Sequence, residues 1–164
     1  MALLPLPALA ATLPAGVRLL GIDLGAKRIG LALSDVGRSI ASPYGSIPRR
    51  KLADTAAELV AIARDQQVGG LVVGLPLSLD GSTGPAAQAA RDWAHAVSET
   101  TGLPTALWDE RLSTAAVSRM LIGEADLSRR RRAKVVDAAA AAWVLQGALD
   151  FLRRQPAGAT SQTP

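Results

Sequence analysis

Three extended apolar runs follow one another within residues 17–47 before any helical period begins. From Val17 onward, Arg18, Leu20, Ile22 and Leu24 alternate with Val17, Leu19, Gly21 and Asp23, the period-two signature of a strand over residues 17–23. Gly25 supplies a turn, residues 28–34 read as a second strand and residues 39–47 as a weaker third. Connections this short make the three an antiparallel meander. The pattern then switches. Residues 52–66 place Leu52, Ala56, Leu59, Val60 and Ala63 on one helical stripe. Residues 70–75 are a short apolar strand of the kind buried on both faces. A loop over residues 76–84 contains Asp80-Gly81, and Pro85 opens a helix to about residue 100. Residues 103–110 form another strand, Ser113 or Thr114 caps a helix to about residue 122, and a last helix spans about residues 131–154. The order β-β-β-α-β-α-β-α-α specifies an α/β fold, a mixed sheet covered by helices.

The chain has 164 residues, a single-domain length, with no internal repeat. Hydrophobic residues make up 49%, chiefly Ala, Leu and Val, which is enough for a core and argues against disorder. No stretch reads as long and apolar enough to span a bilayer. Residues 1–16 are apolar but lack a basic start, and Pro5 and Pro7 interrupt them. They read as a flexible leader in preference to a secretory signal. Residues 155–164 read as a disordered tail, leaving residues 17–154 as the folded domain.

The chain has no cysteine and one histidine, His95. Disulfide frameworks, thiolate sites and histidine-rich metal sites are thereby excluded. Any metal would be held by oxygen, which points to Mg²⁺ or Mn²⁺. The formal net charge is +4, with the run Arg129-Arg130-Arg131-Arg132 and the cluster Arg49-Arg50-Lys51. That balance favours a polyanionic partner, although charge of this kind also serves as a solvated surface.

Three acidic positions stand out. Asp23 ends an apolar strand just before a turn, where a sheet would hold it rigidly. Asp109 and Glu110 end another strand, and neighbouring strand residues face opposite ways, so one of the two enters a shared site. The pattern leaves open which. In the last helix, Ala133, Ala140, Ala141, Val144, Ala148 and Phe151 fall on the face of Asp137, so a carboxylate interrupts a stripe expected to face the core. Unpaired, it would be costly, and the alanines leave little room for a long neutralising side chain. A bound metal would supply the counter-charge; taken alone, a place near the helix N-terminus, where the macrodipole favours acids, accounts for Asp137 at least as well. Clustered carboxylates also repel unless cations neutralise them. Two divalent ions ~4 Å apart would stabilise the attacking and departing oxygens of a phosphodiester displacement.

The stretch Gly21-Ile22-Asp23-Leu24-Gly25-Ala26-Lys27-Arg28-Ile29-Gly30, continued by Ser34-Asp35, resembles the opening motif of the YqgF/RuvX family, bacterial RNase H-like proteins related to Holliday junction resolvases. Val72-Val73-Gly74-Leu75-Pro76-Leu77 with Asp80-Gly81-Ser82 is similar to a second family block. Asp109-Glu110-Arg111-Leu112-Ser113-Thr114 resembles a third, and Lys134-Val135-Val136-Asp137 with Ala138-Ala139-Ala140 a fourth. The blocks cover about residues 17–152 in order, which is far more specific than any one of them. Two valines before Asp137 and the leader depart from the family pattern.

The resemblance implies an RNase H-like fold with a central mixed five-stranded sheet, its first three strands antiparallel, flanked by helices. It assigns the catalytic and metal-binding acids to Asp23, Glu110 and Asp137, and so selects Glu110 over Asp109. It implies two-metal-ion phosphodiester hydrolysis with Mg²⁺ or Mn²⁺, maturation of the 5′ end of pre-16S rRNA, and a cytoplasmic location. Arg28, Arg111 and Lys134 lie beside the acid motifs and are expected to grip phosphates. Arg129–Arg132 could close over the strand or simply begin the helix. Tyr44, Trp93, Trp108 and Trp143 are stacking candidates, although tryptophans in apolar elements are more often core. The expected partner is single-stranded RNA, pre-rRNA included, within or near ribosomal particles. No membrane is expected, and the chain is expected to be a monomer or weak homodimer. Alternatives are a resolvase acting on branched DNA, which should be a stable dimer, and a non-catalytic RNA-binding assembly or transcription factor. Actin-like ATPases share the Gly-Ile-Asp-Leu-Gly opening, but they need two such domains, and a second Asp-x-Gly hairpin is missing here.

Overall fold

The computed structural model describes residues 3–76, 84–110 and 129–154. Its elements are α1 (Leu6–Thr12), β1 (Arg18–Leu24), β2 (Arg28–Ser34), β3 (Ala41–Pro48), α2 (Leu52–Gln66), β4 (Val68–Leu75), α3 (Pro85–Thr101), β5 (Thr105–Asp109) and α4 (Arg129–Arg154). The strands form one five-stranded sheet in the order β3-β2-β1-β4-β5. β1–β2 and β2–β3 pair antiparallel, and β1–β4 and β4–β5 pair parallel. This is the mixed sheet that the strand and helix order anticipated. The expected loop over residues 76–84 and the expected helix from Ser113 or Thr114 fall largely or wholly outside the described residues, as does the tail.

The alternation of each strand divides the core into two layers. On one face, Leu20, Ile22, Ile29, Leu31, Leu71 and Val73 pack against Leu59 and Ala63 of α2 and Ala94 and Val97 of α3. On the other, Leu19, Ala32, Val72 and Ala106 meet Ala141, Val144, Leu145, Ala148 and Leu149 of α4. α2 buries Thr55, Ala56, Leu59 and Ala63, one stripe of a 3.6-residue period. It stops at Gln67, which is left-handed at φ 58°. Pro85 occupies the first turn of α3, and Gly102 ends that helix at φ 73°.

Element ends differ from the expected ones for local reasons. β3 begins at Ala41 rather than Ser39 because Asp35 Oδ1 accepts the Ser39 and Ile40 amides at 2.7 and 3.0 Å, which prolongs the turn. β5 begins at Thr105 because Leu103 completes the end of α3, accepting from Ser98 Oγ at 2.9 Å.

The leader, expected to be flexible, is packed in this structure. Pro7 fits the first turn of α1 instead of interrupting it, since the missing amide is not needed there. Leu6 and Leu9 are buried in the α4-side layer. Leu3 bridges Thr105, and the Leu4 amide donates to the Thr105 carbonyl at 2.9 Å, so the segment covers the outer edge of β5.

The expectation that no stretch could span a bilayer is also corrected. Within α4, Val135–Arg154 is 20 residues long and apolar enough to do so by length and composition. Here its apolar residues are spent on the sheet: Ala141, Leu145, Ala148 and Leu149 are fully or almost fully enclosed.

Candidate active site

The strand registers place Ser46, Gly30 and Asp23 side by side on β3, β2 and β1. Ile22 pairs with Val73 of β4, so Asp23 lies level with Gly74, which in turn pairs with Trp108 of β5. Asp23 is therefore the centre of a row crossing all five strands, flanked on both sides by glycine. Both glycines are there for close approach on the α4 face. A Cβ on Gly30 would run into the Asp137 backbone carbonyl, so only glycine lets the start of α4 rest on β2. A Cβ on Gly74 would come within 2.7 Å of Glu110 Oε1 and 3.0 Å of Val144 Cγ2. One glycine thus lets the Asp137 backbone rest on β2, the strand next to Asp23, and the other makes room for the Glu110 carboxyl.

Glu110 follows β5 directly, and its side chain is hydrogen-bonded to Asp23. Two carboxylates in contact must share a proton. Glu110 keeps it: burial, then the hydrogen bond to Asp23, then the negative charge of Asp23 and Asp109 push its carboxyl up to about 8. Asp109, its neighbour, pairs in register with Leu75.

Asp137 is placed differently from the sequence expectation. The residues α4 buries are Ala138, Ala139, Ala141, Val144, Leu145, Ala148 and Leu149, so Asp137 lies on the flank of that stripe, above β2 and β3. It is neither unpaired nor short of room for a long side chain. Arg28 Nε donates to Asp137 Oδ2 at 2.7 Å, and Ser46 Oγ donates to the same oxygen at 3.0 Å. The two side chains are 47% and 20% exposed, so Arg28 reaches in from solvent along the open flank of the helix. Its stem rises from β2 two residues before Gly30 and needs none of the space the alanines fill. The counter-charge assigned to a metal on sequence grounds is supplied here by arginine. Among the described residues, no three acids close into a group able to hold one ion. The donors nonetheless suit a hard divalent cation: Asp23 and Glu110 offer adjacent carboxylate oxygens joined by a displaceable proton.

Of the remaining candidates, Arg111 and the side chains of Arg129–Arg132 and Lys134 lie outside the described residues. Trp93 packs against the α2–α3 layer, and Trp108 against α4 with its ring 5.7 Å from that of Phe151. Trp143 lines an apolar groove with Ala41 and Pro43, and Tyr44 is exposed on β3. Ser46 was not foreseen as a site residue. Gly30 and Gly74 were not singled out either: glycine inside a strand is a mark of close approach, but other strand glycines carry the same mark.

A carboxyl cluster at the end of the central strands, on a five-stranded mixed sheet with its major helix packed over one face, defines an α/β fold of the RuvC type. The Thermus thermophilus RuvC structure, solved in complex with a Holliday junction substrate, superposes with a TM-score of 0.52 at 16% identity, covering 84% of this chain and 96% of that one. The chain belongs to the RuvX family, described as Holliday junction resolvase, whose profile matches residues 17–151. Curated relatives bearing the name of pre-16S rRNA nuclease include one from Acidiphilium cryptum, 61% identical over 93% of this chain and 96% of its own length. Another, from Rhodospirillum rubrum, is 52% identical over 94% and 96% respectively.

Proposed function

We propose that this chain is a metal-dependent endonuclease that hydrolyses phosphodiester bonds in RNA, maturing the 5′ end of pre-16S rRNA in the cytoplasm, at or near ribosomal particles. The observation that carries the reading is the proton-sharing pair of Asp23 and Glu110, with the backbone of Asp137 resting on Gly30 of the neighbouring strand. Evolution has no packing reason to press two carboxyls together at a strand end. The arrangement makes sense when a Mg²⁺ or Mn²⁺ ion replaces the proton. Asp23, central in the row, would hold an ion together with Glu110, and Asp137 would be the further acid available to a second one. When bound, the ions supply an activated water and neutralise charge on the departing 3′ oxygen. In the hydrolysis, water adds at phosphorus and the bond to the 3′ oxygen breaks. Glu110 would release its proton to solvent as an ion takes the proton's place. Arg28 and Ser46 hold Asp137 in place meanwhile, and Arg28 is then near enough to the site to meet a phosphate oxygen.

The name of the full-length relatives favours RNA, and the family description together with the RuvC-type fold favours branched DNA as the second reading. The test is single-turnover cleavage of a labelled precursor-rRNA fragment and of a four-way DNA junction, with Mn²⁺ or Mg²⁺. Asp23→Asn and Asp137→Asn are expected to slow RNA cleavage on the order of 10³-fold. Equal residual cutting by all three proteins refutes the nuclease reading. Preferential junction cleavage by a tight dimer, seen in sedimentation, replaces RNA with branched DNA; the expectation here is a monomer or weak dimer.

A further inference from the structure

We propose that Lys27, Arg49, Arg50 and Lys51 form a phosphate-binding ridge that holds the nucleic-acid strand on the β2–β3 side of the carboxylates. The inference rests on the reading of the chain as a nucleic-acid hydrolase, and it turns the polyanion preference of the Arg49-Arg50-Lys51 cluster into a placed surface that includes Lys27.

The ridge is made from two turns at the same end of the sheet. Lys27 sits in the β1–β2 turn, and residues 49–51 link β3 to α2. The Arg49 amide donates to the Lys27 carbonyl at 2.9 Å, and Arg49 Nη1 donates to the Gly25 carbonyl at 3.0 Å. The other side of the link is tied to α2. The Arg50 amide donates to the buried Thr55 hydroxyl at 3.2 Å, that hydroxyl donates to the Arg50 carbonyl at 3.3 Å, and the Thr55 amide donates to the Lys51 carbonyl at 3.0 Å. The backbone carrying the four cations is thus fixed on both flanks, while all four residues are exposed.

None of the four is ion-paired with a described carboxylate, although Asp54 stands on the first turn of α2 nearby. Like charges gathered on a rigid base repel one another unless a polyanion offsets them. A phosphodiester backbone is the polyanion that a nucleic-acid hydrolase meets. The ridge is continuous with the site: Lys27 precedes Arg28, which touches Asp137, and Lys27 lies three strand residues, ~10 Å, from the level of Gly30 and Asp23. A strand gripped there reaches the carboxylates within a few phosphates.

The test measures binding without cleavage. Full-length protein carrying Asp23→Asn is titrated into a fluorescein-labelled single-stranded RNA oligonucleotide, and anisotropy is followed across a KCl series. Each phosphate contact contributes about 0.7 to the slope of log affinity against log salt. The triple variant Lys27→Ala/Arg50→Ala/Lys51→Ala, which keeps the Arg49–Gly25 bond, should lower that slope by about 2 and weaken binding at least 10-fold at low salt. Adding Arg49→Ala should lower the slope by a further ~0.7. Arg153→Ala/Arg154→Ala, some 25 Å along α4 from Asp137, is the control and should leave it unchanged. An unchanged slope in the triple variant, an equal fall in the control, or a parent that binds neither RNA nor junction DNA overturns the ridge. Loss of cleavage in the wild type with the slopes as expected would refute the nuclease reading and leave the ridge standing.

Discussion

Gly74→Ala tests the site geometry through a single methyl group. The added Cβ would lie 2.7 Å from Glu110 Oε1 and 2.9 Å from Glu110 Cγ, whereas ordinary contact begins at 3.4 Å. The neighbour in the way is a side chain rather than backbone, so the carboxyl moves: from 2.7 to 3.4 Å is a displacement of 0.7 Å or more. Val144 Cγ2, at 3.0 Å, blocks part of the retreat toward α4. The stability cost should be that of mild overpacking, about 1–3 kcal/mol. The functional cost should be larger. A carboxyl displaced by most of an ångström loses its hydrogen bond to Asp23, and under the proposed function misplacement on this scale costs about 10²-fold in rate. The assay is single-turnover cleavage at saturating Mn²⁺, on protein shown by its thermal transition to be folded at the assay temperature. Cleavage within threefold of wild type would refute the argument that Gly74 exists to seat Glu110. Gly30→Ala is the contrasting case. Its clash is with the Asp137 backbone, which cannot turn aside, so α4 must lift and folding itself should fail.

The pH dependence of stability follows from Glu110. Its folded-state value, about 8, lies above the ordinary 4.5, so the folded chain holds a proton that the unfolded chain releases. The associated stability is complete below about pH 4.5 and is lost as pH rises through about 8. Metal-free wild type should lose on the order of 1–2 kcal/mol, roughly 3–6 °C in Tm, between pH 5 and 8.5. Glu110→Gln should flatten that dependence, and equal slopes in calorimetry would count against a shared proton. Leu9→Ala tests the leader: a fully buried leucine costs about 2–5 kcal/mol on truncation, whereas one in a flexible segment costs less than about 0.5 kcal/mol. A midpoint in urea unchanged by Leu9→Ala would detach α1 from the core.

Periodicity made the layers legible because each strand and helix carries its own record of which face is buried. α2 runs over the expected residues, Leu52–Gln66. What periodicity cannot carry is register between strands. The meeting of Ser46, Gly30 and Asp23 in one row depends on the β1–β2 and β2–β3 pairing and on the irregularity between Leu31 and Ala32. Without that row, Arg28 could not be seen as a partner of Asp137. Asp109 and Glu110 could not be separated by alternation alone; the vacant Cβ position on Gly74 separates them physically. The leader was misread because proline was counted as a breaker where, at the first turn of α1, it is compatible with the helix.

The seating of α4 on Gly30 also bears on when this chain could first act during its own synthesis. Asp23 leaves the ribosome early, but Asp137 follows 114 residues later, roughly 6–23 s at ordinary elongation rates. Until then Leu19, Ala32, Val72 and Ala106 lack the residues of α4 and have only Leu6 and Leu9 of α1 on their side, so the half-made sheet cannot close its second layer. Contacts so distant along the chain also form late in folding. Under the proposed function, hydrolytic capacity therefore arrives only with the last helix, so a nascent chain, tethered to the very class of RNA its relatives are named for, would carry no working site.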